Sequence, residues 1–211
     1  MKFKEITHYI ECEEDYMLPA FVILMNDGKE YISVSKFFLE NCDINRKKLL
    51  SEASINELLA SQGCSISEAP DLSCMFSGCN HITEFYEDIS SAISTFGMFW
   101  GCEGLKYFGS EMPKAEECSF MFSHCESLSS FTAEMKYVKN AREMFYKCKS
   151  LKSFTIDAPN LECAYAMFAS CTSLKTLRSD MLKCTYARNI IKGCSSLSDD
   201  FVLNLSEKTK R

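Results

Sequence analysis

The sequence predicts an α/β repeat protein, a solenoid of about six coils preceded by a β-hairpin and helix cap. Three observations predict this architecture. Cysteines recur every 23 residues, apolar residues keep fixed offsets from those cysteines, and residues 1–63 do not follow the period. A strict period of 20–50 residues is the signature of units that each bury an apolar face only against their neighbours.

The repeat reads M-F-x-x-C-x-S-L-x-x-F and runs without insertion. Its ladder cysteines are Cys79, Cys102, Cys125, Cys148, Cys171 and Cys194. A phenylalanine stands three residues before each of the first five, and Ile191 takes that place before the sixth. A leucine or isoleucine follows every ladder cysteine by three residues. This period and spacing match the leucine-rich-repeat length class, which has one strand and one helical or irregular segment per coil.

Each coil offers one strand and one second segment. The run from Leu151 to Ile156 predicts a strand in which Leu151, Phe154 and Ile156 point inward. Residues 138–148 carry apolar side chains at spacings of three and four, which predicts a helical turn or short helix. Small residues hold one matching position in successive coils, where this segment is expected to pack closely on the strands: Thr95, Cys118, Ala141, Ala164 and Ala187.

Residues 1–63 predict a separate N-terminal element. Two strand-like runs, 21–25 and 29–34, flank an Asn-Asp-Gly turn at 26–28 and predict a hairpin. Residues 35–41 and 45–60 predict two helices. The open apolar end of a solenoid needs a cover, so a cap is expected here, with a separate small binding domain as the alternative. The solenoid is expected to span 64–205, and residues 206–211 to form a frayed tail.

Three copies of the repeat carry a closer likeness, at residues 122–128 (FSHCESL), 145–151 (FYKCKSL) and 168–174 (FASCTSL). An aromatic residue, two variable residues, a cysteine and a Ser-Leu pair make the chain resemble the BspA-like leucine-rich repeats over residues 64–205. The resemblance implies the solenoid fold. It also implies one candidate function, that of a cell-surface adhesin.

The chain has 13 cysteines among 211 residues, an odd number, and its first residues carry no apolar run long enough for a secretion signal. We therefore expect a reduced, cytoplasmic protein without a membrane segment, whose ladder cysteines fill space between layers. A redox or metal-binding repeat protein is the alternative. Two clusters bear on it, Cys74 with Cys79 and His81, and Cys118 with His124 and Cys125, but neither has C-x-x-C spacing.

No catalytic motif stands out. The chain has three histidines and eight scattered glycines, and it lacks a phosphate loop, H-E-x-x-H and G-x-S-x-G. A dyad of His124 with a nearby thiol would need an open, electropositive site, whereas the repeat predicts a buried one. We expect no enzymatic activity and no cofactor.

The strands predict a candidate binding face. We count each strand segment from the leucine or isoleucine that follows the ladder cysteine by three residues. The seventh residue of five segments is acidic, and we name this set the acidic column: Asp88, Glu111, Glu134, Asp157 and Asp180. Three explanations stay open, namely turn capping, a divalent cation, and contact with a basic partner surface. Further residues predicted on this face are the aromatic anchors Tyr86 and Tyr107 and a basic column of Lys106, Lys152, Lys175 and Arg178.

Twenty-three basic residues stand against 29 acidic ones, a net charge of −6, which disfavours direct nucleic-acid binding. We therefore expect a non-catalytic, protein-binding solenoid. The specific hypothesis is a stoichiometric inhibitor or antagonist, of the immunity or anti-defence type, of an intracellular protein with a basic surface. A nuclease or another nucleic-acid-handling protein would be such a partner.

Overall fold

A computed structural model describes the backbone of residues 5–11, 17–26 and 30–34, and residues 66–80 and 82–205 with their side chains. The first three ranges are strands β1 (Glu5–Glu11), β2 (Met17–Asn26) and β3 (Glu30–Val34), and β2 pairs antiparallel with both others. The predicted hairpin pairing is confirmed, and β1 adds a strand that was not predicted. The helices predicted at 35–41 and 45–60, and the tail at 206–211, lie outside the described residues.

Six short strands follow, and they pair in parallel. They are β4 (Glu84–Phe85), β5 (Tyr107–Phe108), β6 (Ser130–Phe131), β7 (Ser153–Thr155), β8 (Thr176–Met181) and β9 (Val202–Leu205). They form two sheets, β4-β5-β6 and β7-β8-β9. Phe85 pairs with Phe108 and Phe154 with Leu177, each 23 residues on. Consecutive 23-residue units, numbered one to six by their ladder cysteines, therefore lie side by side.

A second line of parallel bridges runs along another side of the units. It joins one residue per unit, again at intervals of 23: Asp71, Ser94, Glu117, Asn140, Cys163 and Tyr186. The period read from the cysteines thus equals the pairing register on both sides of the units as far as β8, whereas β9 pairs with β8 at an offset of 24. Parallel strands need a crossover of a dozen or more residues, and one 23-residue unit supplies it.

The segment before each ladder cysteine is not helical, so the prediction of a helical turn or short helix at 138–148 is wrong. These residues form successive hydrogen-bonded turns. The N–H groups of Met144, Tyr146 and Cys148 donate to carbonyls three residues earlier, at 3.0–3.2 Å. The N–H groups that alternate with these, those of Glu143, Phe145 and Lys147, donate to the next unit, at 2.8–2.9 Å. We call this segment the turn layer. In the part described with side chains, the one helical element is a 3-10 helix at Ile66–Glu68.

Each stretch of the turn layer contains two residues with positive φ, located five residues and one residue before the ladder cysteine. Phe120 and His124, at +59° and +64°, occupy these positions in unit three. A residue with positive φ at the third place of a four-residue turn is the type II geometry, which favours glycine. Glycine holds only four of the twelve positions, at 78, 97, 101 and 193. The usual glycine signal of such turns is therefore missing from most units of the sequence.

The interior is built around two aromatic columns. In the first, Phe76, Phe99, Phe122, Phe145 and Phe168 stack with ring centroids 5.5–5.7 Å apart and planes within 12°. In the second, Phe85, Phe108, Phe131 and Phe154 stack at 6.0–6.2 Å. Rings of the two columns meet edge to face at 4.8–5.9 Å. Both geometries are favourable for aromatic pairs, so each added unit extends the same packing.

The ladder cysteines line this interior and make hydrogen bonds as well as filling space. The Sγ–H of Cys102, Cys125 and Cys148 donates to the carbonyl of the phenylalanine 26 residues earlier, at 2.9–3.1 Å. Cys171 and Cys194 repeat the contact at 3.0 Å. Burial raises the pKa of the Cys102, Cys125 and Cys148 thiols well above the ordinary value, which keeps them protonated as donors. The ten described cysteines are all free thiols.

No helix in the described part of the chain is both long enough and apolar enough to cross a membrane.

Candidate functional site on the strand face

The outward side of the parallel strands forms a continuous surface, which we call the strand face. Exposure alternates along β8, where Thr176, Arg178 and Asp180 point to solvent and the residues between them are buried. The same alternation continues past the short strands of the earlier units, as far as the acidic column. The strand face therefore includes the seventh position of each segment even where the paired strand has already ended.

All five members of the acidic column are exposed, as the sequence predicts, but their local contacts differ. Asp88 accepts a hydrogen bond from the N–H of Ser90 at 2.9 Å, and this bond holds the pKa of Asp88 below its ordinary value. Asp157 accepts the N–H of Asp180 in the next unit at 3.1 Å. Asp180 in turn accepts the side-chain amide of Asn204. The three aspartates thus satisfy polar groups of the turns and strands around them.

Glu111 and Glu134 differ from the aspartates. Within the described residues, neither carboxylate accepts a hydrogen bond or forms an ion pair, although both side chains are exposed on neighbouring units. Turn capping therefore describes Asp88, whereas Asp157 and Asp180 accept hydrogen bonds from residues 23 and 24 positions further on. Neither explanation applies to the two glutamates. Among residues 66–80 and 82–205, no group of three His, Cys, Asp or Glu side chains is arranged to hold a metal ion.

Two exposed tyrosines lie at the N-terminal part of the strand face. Tyr86 is 63% exposed and Tyr107 is 46% exposed. Tyr107 pairs with Glu84 across β4 and β5, and the ring of Tyr86 lies over Gly109, where a Cβ atom would come within 2.4 Å of it. Tyr107 belongs to the same unit as Glu111, and Tyr86 to the unit before it. The structure thus brings the predicted aromatic anchors together with acidic side chains.

The predicted basic column divides into two. Lys106, Lys152 and Lys175 share one position in their units, and the N–H of Lys175 donates to the carbonyl of Lys152 at 2.9 Å. Arg178 lies three residues further on, pairs with Thr155, and so belongs to a different column. All four are exposed. The assignment of Arg178 to the same column is therefore corrected, while its location on the strand face holds.

Charge is distributed unevenly along the units, a feature that the net charge hides. Residues 66–111 carry seven acidic side chains and one basic side chain. Residues 136–192 carry eleven basic side chains and four acidic ones. The strand face is consequently acidic and aromatic at units one and two and richer in basic residues at units four and five. Counting charges by unit would have found this signal in the sequence.

His124 lies on the turn layer and forms no dyad with Cys125. Its Nε2 lies 3.2 Å from Nζ of Lys147, and its Nδ1 lies 3.1 Å from Oγ of Ser123. The ammonium of Lys147 can only donate, so Nε2 accepts and Nδ1 carries the ring proton. Cys125 instead directs its thiol to the carbonyl of Phe99 in the interior. Burial first, and Lys147 second, lower the pKa of His124 to about 4.

This shift predicts a pH effect on stability. Between the ordinary histidine pKa of 6.5 and the folded value of about 4, the unfolded chain binds a proton that the folded chain excludes. The free energy of unfolding should therefore fall as pH falls through that window. Denaturant titrations from pH 7 to pH 4 should show a steeper loss for the wild type than for His124→Asn, since asparagine tolerates positive φ. Identical pH slopes for the two proteins would contradict the prediction.

Two cysteine clusters were candidate metal sites. The first, Cys74 with Cys79 and His81, is only partly described, because His81 lies outside the described residues. In the second cluster, Oγ1 of Thr95 donates to Sγ of Cys118 at 3.3 Å, and burial raises the pKa of Cys118 to about 12. A buried, protonated thiol is a poor metal ligand and a poor nucleophile.

Comparisons with protein-family models, with curated proteins and with solved structures found no match to this chain.

Proposed function

We propose that the chain is a leucine-rich-repeat solenoid of the BspA-like type, and that its function is non-catalytic recognition of a protein partner through the strand face. One observation carries this proposal: Glu111 and Glu134 are exposed on adjacent units and have no hydrogen bond or ion pair among the described residues. Carboxylates held about 5 Å apart repel each other, so their alignment costs stability unless a partner uses it.

The surroundings of the two glutamates specify the partner's surface. Tyr107 offers an exposed aromatic ring beside Glu111, and tyrosine is enriched among residues that dominate interface energies. The partner would place basic side chains against units one to three and acidic side chains against Lys152, Lys175 and Arg178. Such a two-sign pattern sets orientation as well as encounter rate. If the basic surface is the partner's working surface, for example that of a nucleic-acid-handling protein, binding would inhibit it stoichiometrically.

Charge reversal tests this proposal. Tagged wild-type chain should capture a partner from native cell extract, and Glu111→Lys with Glu134→Lys should lower its recovery at least tenfold. The matched control reverses Glu103 and Glu162, which are exposed outside the strand face, and should capture the partner normally. Capture should also weaken as salt rises from low to about 1 M, where the Debye length is about 3 Å. Asp157 is left intact because it holds the N–H of Asp180.

Circular dichroism and the midpoint of thermal unfolding should be the same for the wild type and the Glu111→Lys, Glu134→Lys variant, since neither glutamate has a hydrogen bond or ion pair among the described residues. Equal capture by the wild type and the strand-face variant would overturn the acidic-column proposal.

A further inference from the structure

Units one and two differ from units three and four at the outer positions of the strands. Units three and four carry Ser-Phe-Thr, at 130–132 and 153–155. The same three positions read Glu-Phe-Tyr at 84–86 in unit one and Tyr-Phe-Gly at 107–109 in unit two. The phenylalanine is buried in every case and the residues on either side of it are exposed. These differences therefore change the strand face and leave the interior as it is.

The glycine of unit two makes room for the tyrosine of unit one. A Cβ atom at Gly109 would stand 2.4 Å from Cδ1 and Cε1 of Tyr86 and 3.6 Å from its Cγ. The ring of Tyr86 therefore turns an edge towards Gly109 and reaches across the neighbouring strand. A threonine, which units three and four carry at this position, would displace that ring. Gly109 is thus a positioning residue for Tyr86.

The two tyrosines are diagonal neighbours on adjacent strands. Phe85 pairs with Phe108, so Tyr86 lies one residue beyond this pair and Tyr107 one residue before it. At ordinary strand spacings their Cα atoms are about 8 Å apart. Neither ring contacts another aromatic ring among the described residues. A flat group that touches a ring on each side needs about 7 Å between the rings, twice a carbon contact distance, and the diagonal spacing suits one such group.

The surface around the two rings is acidic. Glu84 pairs with Tyr107 in the sheet, and Glu111 belongs to the same unit as Tyr107. Within the described part of the chain, neither carboxylate accepts a hydrogen bond or forms an ion pair. Lys106 is the one basic residue of 66–111, against seven acidic residues. The charge of this area therefore favours a cationic ligand.

We propose that Tyr86, Tyr107, Glu84 and Glu111 bind one arginine side chain of the protein partner, and we call them the arginine site. A guanidinium is a flat cation that stacks on aromatic rings and donates two parallel hydrogen bonds to a carboxylate. It stacks on the tyrosines and directs its N–H groups to the glutamates. This inference rests on the function proposed above, because it names the residue that the partner presents to units one and two.

Two other ligands fit the arginine site less well. A lysine ammonium is a compact, strongly hydrated charge and has no plane to stack on a ring. A glycan stacks on tyrosine but is neutral, so it would leave the charge of Glu84 and Glu111 without compensation. Arginine satisfies both the rings and the carboxylates.

Three end-capped peptides test the ligand: Gly-Gly-Arg-Gly-Gly and its copies with citrulline or lysine in place of arginine. Citrulline keeps the shape of arginine and removes its charge. NMR titration of the full chain should show the arginine peptide binding about tenfold more tightly than the citrulline peptide and about threefold more tightly than the lysine peptide. The ring signals of Tyr86 and Tyr107 should shift. Equal affinities for the arginine and citrulline peptides, or tighter binding of a neutral cello-oligosaccharide at the same signals, would overturn the proposal.

Gly109→Thr tests the geometry, because it removes neither a ring nor a charge. It should displace Tyr86 and weaken the arginine peptide about tenfold, whereas Thr132→Ala, on the strand face of unit three, should change the affinity less than twofold. Circular dichroism should show both variants folded, since threonine is the residue that units three and four carry at this position. Unchanged affinity in folded Gly109→Thr would overturn the role of Tyr86.

A second pair of variants tests the carboxylates. Glu84→Gln with Glu111→Gln should weaken the arginine peptide about tenfold and leave the citrulline peptide unaffected. The control, Glu103→Gln with Glu162→Gln, removes the same charge outside the strand face and should change the affinity less than twofold. Equal losses in the two variants would show an effect of net charge alone and would contradict the arginine site.

The peptide experiment and the capture experiment can fail separately. Gly109→Thr leaves Glu111 and Glu134 in place. Capture that depends on those two glutamates, together with equal binding of the arginine and citrulline peptides, would overturn the arginine site alone. Selective binding of the arginine peptide, together with capture that survives the charge reversal, would overturn the proposed function and support the arginine site.

Discussion

The free energy of unfolding of Phe145→Ala should fall by about 4 kcal/mol, as expected when a fully buried phenylalanine is truncated. Phe145 is 0% exposed, and its ring stacks on Phe122 and Phe168 at 5.6 Å each. It also meets the second aromatic column edge to face, at 5.0 Å from Phe131 and 5.6 Å from Phe154. Removing it leaves a cavity that four neighbouring rings cannot fill without leaving their own stacks.

Urea titration followed by circular dichroism measures this loss. Tyr137→Ala is the control, because that ring is 47% exposed, and its truncation should cost less than about 1 kcal/mol. A loss below about 1 kcal/mol for Phe145→Ala would show that the aromatic columns are not continuous. Should the variant not fold, Phe145→Leu, which keeps most of the volume, should fold and lose about 1 kcal/mol.

Gly104→Ala should be the second large effect, a loss of about 3 kcal/mol through overpacking. A Cβ atom at Gly104 would stand 2.1 Å from the carbonyl oxygen of Asn80 in the preceding unit. That oxygen belongs to the backbone and cannot rotate away. The two units would have to separate, which would disturb the pairing that follows at β4 and β5.

Gly109→Ala is the matched control on the same unit. Its Cβ would stand 2.4 Å from the ring of Tyr86, which is an exposed side chain that can swing into solvent. The cost should be below about 1 kcal/mol, since the lower entropy of the unfolded alanine chain offsets part of it. Equal losses for the two variants would mean that units one and two do not approach as closely as described.

Much of the fold could be predicted because one period governs it. The cysteine interval of 23 residues equals the register by which Phe85 pairs with Phe108 and Phe154 with Leu177. The inward positions of Leu151 and Phe154 also followed from their fixed offsets from the ladder cysteine, and both are buried. Repetition makes such inferences strong, because six copies of one weak pattern must all adopt the same structure.

The turn layer could not be predicted from apolar spacing. Met144 and Phe145 point inward and are followed by residues that point outward, a pattern that a helix and a chain of four-residue turns share. The distinguishing signal is positive φ, which Glu143 and Lys147 adopt without being glycine. Packing between units imposes that conformation, so it is invisible in any single unit. Gly97 and Gly101, four residues apart in unit two, were the available hint.

The exposure of the acidic column could be predicted, but its contacts could not. The acidic column is exposed throughout, yet the contacts of Asp88 and Asp157 with backbone N–H groups depend on the shape of turns that the sequence did not reveal. The uneven charge along the units was missed because the total of −6 averages over it.

The stacking of the units depends most on one set of bonds, in which alternate N–H groups of the turn layer donate to the following unit. Scalar couplings through hydrogen bonds, measured by NMR on the labelled chain, test it directly. The amide nitrogen of Phe145 should couple to the carbonyl carbon of Met167, the acceptor that lies 2.9 Å away. Coupling of Phe145 to the carbonyl of Ala141, as in an α-helix, would contradict this bonding between units.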